Sequence, residues 1–176
     1  NLLQIENEYY SDIRPKRVAR PGQKPVHALK EAGVEYVEVR NIDLNPFLPL
    51  GIDAPQSQFI NAFLTWCLFA KSPAITDQEC ELIGTNQSIV VRQGRKPGLM
   101  IQTCSGEQSL QSLGLDIIEN LRLVADVMPD KGDVLAAIDV MEARINDSSL
   151  TPSAQVLAAM EEGNLSHQEF SFELAQ

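Results

Sequence analysis

Between Asn45 and Pro55 the chain carries three prolines, Pro46, Pro49 and Pro55, together with Gly51. Proline lacks the N–H that a helix interior or a central strand needs and fixes φ, so no regular element runs through this stretch. The segments on its two sides must therefore fold as separate elements. A soft boundary falls near Ala54, giving an N-terminal part over 1–54 and a helical region over 55–176.

On the N-terminal side, Leu2 to Tyr10 has alternating polar positions that predict a strand with Gln4, Glu6, Glu8 and Tyr10 on one face, ending at Pro15. From Ile13 to Arg20 the cations Arg14, Lys16, Arg17 and Arg20 crowd around a proline before Pro21-Gly22 breaks the backbone. Pro25 to Ala32 predicts a short helix closed by Gly33, and Val34 to Arg40 has the β-branched content of a second strand.

After the prolines the hydrophobic period changes to three and four residues. Gln56 to Lys71 places Phe59, Ile60, Phe63, Leu64 and Cys67 at helical spacing, and Thr76 with Glu79 forms a capping box for a second helix. Both are expected in the core. Gly94-Arg95-Lys96-Pro97-Gly98 reads as a basic turn. Ser109 to Met128 and Asp133 to Asn146 read as amphipathic helices parted by Pro129. Thr151-Pro152 opens a helix ending at Gly163, and Ser166 with Glu169 caps a last one through Leu174. The expected fold class is α+β: short antiparallel strands followed by a mainly helical region. Alone, such a small piece of sheet is underpaired.

Charge narrows the function. With 24 acidic and 14 basic residues the formal charge is -10, which repels nucleic acid and anionic membrane surfaces, so neither is an expected partner. The longest apolar run, Phe59 to Ala70, is interrupted by Asn61 and Thr65 and falls short of the roughly 18 to 20 residues that span a bilayer. Cys67, Cys80 and Cys104 are odd in number and fit neither a disulfide framework nor paired metal-ligand spacing, which points to a reduced, cytoplasmic setting. His27 and His167 have no second ligand at helical spacing. A start at Asn1 rather than Met, and an end still in helical pattern, lead us to expect a piece of a longer protein.

In an extended strand Glu38 and Arg40 project from the same face with bases about 6.6 Å apart. A carboxylate beside a guanidinium suits phosphoryl transfer, where the first holds Mg²⁺ and the second stabilises charge on the transferring group. A plain cross-strand ion pair has the same spacing. Arg14, Lys16 and Arg17 can bind nucleotide phosphates or a substrate carboxylate, or form a solvated basic turn. Tyr10 can donate a hydrogen bond to a ligand or sit half-buried in a sheet. Cys67, beside Trp66 on an apolar face, reads as an inert core thiol. The turn from Gly94 to Gly98 lacks the length and the Gly-Lys-Ser/Thr ending of a P-loop.

The strings Leu3-Gln4-Ile5-Glu6-Asn7-Glu8-Tyr9-Tyr10, Ile13-Arg14-Pro15-Lys16-Arg17, Glu35-Tyr36-Val37-Glu38-Val39-Arg40 and Asn45-Pro46-Phe47 resemble the gammaproteobacterial type of glutamate–cysteine ligase. The resemblance continues through Gln58-Phe59, Trp66-Cys67 and Gly94 to Leu99, and weakens beyond about Asp130. It implies a glutamine-synthetase-like sheet and the first step of glutathione biosynthesis. ATP phosphorylates the γ-carboxylate of glutamate, and the amino group of cysteine displaces phosphate, with Mg²⁺ or Mn²⁺ assisting. Carried over by position, Glu38 resembles the metal-ligating glutamate, Arg40 the arginine on the transferring phosphoryl group and Tyr10 the tyrosine of the cysteine pocket. Arg14 and Lys16 look like nucleotide-phosphate contacts. In this family most metal-ligating carboxylates lie N-terminal to the segment matching residue 1. The resemblance thus implies that the N-terminal part of the same enzyme is a partner and that this portion alone is inactive. Two rivals stay open: the region from Ala54 onward is a scaffold without a role in chemistry, or the parent is a fused bifunctional glutathione-forming protein.

Overall fold

A computed structural model describes residues 11–175 of the chain, which divides between Leu44 and Asn45 into two compact units. The division falls at the head of the proline-rich stretch.

In the first unit, β1 (Ile13–Lys16) and β2 (Tyr36–Val39) form an antiparallel ribbon joined through α1 (Pro25–Ala32). Pro25 starts α1, and Gly33 closes it at φ 76°, a left-handed backbone that glycine adopts without a Cβ clash. The Gly33 N–H donates to the Leu29 carbonyl oxygen at 2.8 Å. The expected strand over Leu2 to Tyr10 lies outside the described residues. The basic stretch, read as a turn after that strand, is itself a strand as far as Lys16. The Arg40 N–H donates to the Asp12 carbonyl at 2.8 Å, so bonded pairs fall at even positions. Pro15, opposite Val37, therefore occupies a pair where its lacking N–H costs no ladder bond.

The second unit runs α2 (Ala54–Phe69), α3 (Asp77–Gln93), β3 (Met100–Thr103), β4 (Gly106–Ser109), α4 (Leu110–Ala125), α5 (Lys131–Asn146), a 3-10 turn (Ser148–Leu150), α6 (Pro152–Gly163) and α7 (His167–Leu174). Its core is where α2, α4 and α5 meet: Ala62, Ile118, Leu121, Ala125, Val134 and Ile138 are buried, with Phe59, Phe63 and Trp66 packed against them. Arg122 on α4 crosses to α5, bonding Asp139 at 2.6 Å and also Glu142. Phe170, buried on α7, meets the ring of Phe47 edge-on at 6.0 Å. Among the described residues no helix is long and apolar enough to cross a membrane.

Two expectations for this unit change, and one element was not foreseen. Cys67 is exposed, because the buried stripe of α2 turns through Ala62, Phe63 and Trp66 and leaves Cys67, Leu68 and Phe69 outside. Partial desolvation still pushes the Cys67 thiol up from its ordinary value. Helix α3, expected in the core, buries no residue. Its acidic first turn and scattered Ile83, Val90 and Val91 give no continuous apolar face, and its hold on the fold is polar. The Asn86 amide donates to the Gln102 carbonyl at 2.6 Å and accepts from the Gln102 N–H at 3.1 Å, standing in for a strand neighbour along β3. The hairpin of β3 and β4 had no assigned counterpart. Four-residue strands with one buried side chain, Ile101, carry too little alternation to be read.

Candidate functional site

The register of the ribbon decides which side chains share a face. Ile13 pairs with Val39, Arg14 with Glu38, Pro15 with Val37 and Lys16 with Tyr36. Directly opposed residues of an antiparallel pair project to the same side, and successive residues to opposite sides. One face therefore carries Arg14, Lys16, Tyr36, Glu38 and Arg40, and the other Ile13, Pro15, Val37 and Val39. Charges inside β2, odd for a strand, are the polar face of a two-sided ribbon.

On the polar face the Glu38 carboxylate lies between two cations. Its Oε2 is 3.4 Å from Lys16 Nζ and its Oε1 3.5 Å from Arg40 Nε. The side chains are graded in exposure: Lys16 is 23% exposed, Glu38 38% and Arg40 48%. Both contacts are longer than the roughly 2.7 to 2.9 Å of a tight charge-assisted hydrogen bond. A half-exposed pair of this kind contributes on the order of 0.2 to 1 kcal/mol, so the carboxylate is held in place and is cheap to redirect. The ion-pair and phosphoryl-transfer readings of Glu38 and Arg40 are thus compatible in one geometry.

Arg14, opposite Glu38, donates from Nε to the Ser11 carbonyl at 3.4 Å. Arg17 leaves the cluster. Its guanidinium donates to the Gly33 carbonyl at 3.2 Å, and the Val18 N–H beside it donates to Glu35 Oε2 at 3.1 Å. These two bonds fasten the end of β1 to the segment between α1 and β2. Tyr10 lies outside the described residues. Tyr36, not singled out in the sequence, stands opposite Lys16 with about half its surface exposed. Counting by twos back from Glu38 was the signal that would have found it.

Among the described residues no group of three or more His, Cys, Asp or Glu is placed to hold a metal ion. Mg²⁺ needs six oxygens, of which carboxylates commonly supply one or two and phosphates or water the rest. Glu38 fits as one oxygen ligand to such an ion; the remaining ligands have to come from outside the ribbon.

Chemically, this face offers one anion able to meet a hard cation and three cations able to meet phosphate oxygens, carried on paired strands. That defines the class: a sheet-borne site suited to phosphate chemistry, in a chain that also carries a helical unit. Comparison with known proteins narrows it. The family model for glutamate–cysteine ligase matches residues 1–90. A glutamate–cysteine ligase of Pseudomonas fluorescens (strain Pf0-1) is 45% identical over 179 residues, covering 100% of this chain and 34% of the relative. One from Pseudomonas putida is 44% identical over 174 residues, covering 97% and 33%. The 2.0 Å crystal structure of the Francisella tularensis glutamate–cysteine ligase, in complex with AMP, superposes with a TM-score of 0.84 at 35% identity, over 98% of this chain and 34% of that one. The chain belongs to the glutamate–cysteine ligase family. It spans about a third of the length of the relatives it matches.

Proposed function

We propose that this chain is the C-terminal third of a glutamate–cysteine ligase and supplies part of the site that makes γ-glutamylcysteine from glutamate, cysteine and ATP. The observation that carries this reading is the Glu38 carboxylate set between Lys16 and Arg40 on one ribbon face, in a chain of this family. AMP in the Francisella relative supports a nucleotide as ligand. The cytoplasm, with its reduced thiols, is the setting that suits a free cysteine substrate.

In the proposed reaction an oxygen of the glutamate γ-carboxylate attacks the γ-phosphorus of ATP, forming γ-glutamyl phosphate and releasing ADP. The cysteine amine then attacks the acyl carbon, and phosphate leaves. Arg40 meets the developing negative charge on the transferring phosphoryl oxygens, where a preorganised donor is worth most. Arg14 and Lys16 hold nucleotide phosphates, the first by a fork and the second as a point charge. Glu38 supplies one oxygen to Mg²⁺ or Mn²⁺, which when bound neutralises phosphate charge. Lys16 and Arg40, at 3.4 and 3.5 Å, hold that carboxylate in position. Tyr10 contributes to the cysteine pocket. Residues 1–54 form the catalytic part, and 55–176 a helical region that supports it.

The test is phosphate release by a complete ligase containing this chain, with each of ATP, glutamate and cysteine omitted in turn and Mg²⁺ varied. We expect release only with all three substrates, and a Glu38→Gln enzyme that needs a much higher Mg²⁺ concentration for half-maximal rate. An unchanged Mg²⁺ dependence would remove Glu38 from the metal site. The 176-residue chain alone is expected to be inactive; dipeptide formation by it would overturn that clause.

A further inference from the structure

The turn from Gly94 to Gly98 is not accounted for by the chemistry above. In the second unit it forms one wall of a cleft of about 360 Å³. Arg95, Lys96 and Arg144 line this cleft, and no Asp or Glu does. Among the described residues no carboxylate lies within ion-pair distance of these three cations. In a chain carrying 24 acidic side chains, that is a selective arrangement. Arg144 has only a long contact to the Met141 sulfur, at 3.6 Å. The two acids nearest Arg144 in sequence are engaged elsewhere: Glu142 by Arg122, and Asp147 by the N–H and hydroxyl of Ser149 at 2.9 and 2.6 Å.

The wall is fixed in place. The Ser148 hydroxyl donates to the Arg95 carbonyl at 3.3 Å, the Lys96 N–H to the Gln93 carbonyl at 2.8 Å, and the Leu110 N–H to the Leu99 carbonyl at 2.9 Å. Two helices, α4 and α6, also begin at the cleft, through Gln111 and Thr151, and their N-terminal ends add partial positive charge. Arg144 sits in the last turn of α5, where it offsets the negative end of that helix. The remaining lining is mixed: Pro97, Leu99, Leu110 and Ile145 give it an apolar wall beside neutral polar groups such as Ser148 and Thr151, and the space is larger than a bare oxyanion needs.

We propose that this cleft binds a small phosphate monoester, its dianion on Arg95, Lys96 and Arg144 and its organic body on the apolar wall. None of these residues lies on β1 or β2, so the cleft stands or falls separately from the ribbon site. The probe is phenyl phosphate, titrated calorimetrically into the 176-residue chain at fixed ionic strength, with inorganic phosphate and benzoate titrated alongside. We expect phenyl phosphate to bind more tightly than either. In an Arg95→Ala/Lys96→Ala chain its affinity falls about tenfold or more, the scale of losing charge-assisted bonds to an anion. Both side chains are exposed, and the Ser148 bond is to the backbone of Arg95, so this variant keeps the turn; far-UV circular dichroism checks that it does. Arg144→Gln, with much of its stem retained, gives a second reading of the same loss. Undetectable binding, binding unchanged in the double variant, or benzoate bound as tightly as phenyl phosphate would each overturn the proposal.

Discussion

A carboxylate held at 3.4 and 3.5 Å from two cations on an open strand face adds little to stability. Glu38→Gln in this chain is therefore expected to change unfolding free energy by less than about 1 kcal/mol, as measured by urea denaturation. A different residue gives a pH-dependent effect. Glu169 closes the capping box of α7: its carboxylate accepts from the Ser166 N–H at 2.8 Å and from the Ser166 hydroxyl at 2.7 Å. Those bonds, the hydroxyl first, hold its carboxyl below the ordinary 4.5. A depressed folded value means the contribution is fully present above pH 4.5 and is lost as pH falls through the lowered value. Hydrogen exchange at the amides of α7 should thus accelerate, relative to α4, only below about pH 4.5, and Glu169→Gln should flatten that difference.

Element by element, the clearest readings were those in which a residue type is demanded by the backbone. Thr151 with Pro152 opens α6, Ser166 with Glu169 opens α7, and Pro25 and Gly33 mark the two ends of α1. What could not be read depends on partners distant in sequence. Whether α3 is buried depends on how α2, α4 and α5 pack, and their buried faces meet one another without it. The pairing of Arg14 with Glu38 depends on a register set across an intervening helix. Pro15 looked like a strand end because the side on which a strand needs its N–H becomes known only once the partner is placed. The α4 core carries its own prediction. Leu121→Ala empties a fully buried position and should cost about 2 to 5 kcal/mol, whereas Leu123→Ala, at a position 70% exposed, should stay within about 0.5 kcal/mol; paired urea melts decide.

For the whole molecule, two features support the reading of this chain as one part of a larger ligase. The ribbon has two strands, and among the described residues neither outer edge is paired, a form that is marginal in water without further strands or packing. Large apolar side chains such as Leu68, Phe69, Val91 and Val127 remain more than three-quarters exposed. Such surface is what a further portion of the same enzyme would cover.

The most direct test of the account is the turnover of Arg40→Ala in a complete ligase containing this chain, scored by phosphate release at saturating ATP, glutamate, cysteine and Mg²⁺. The account predicts a loss of roughly 10²- to 10³-fold with the thermal midpoint unchanged, the signature of removing one preorganised charge donor. Near-normal turnover would contradict it, and would leave the ribbon face as an ion pair and nothing more.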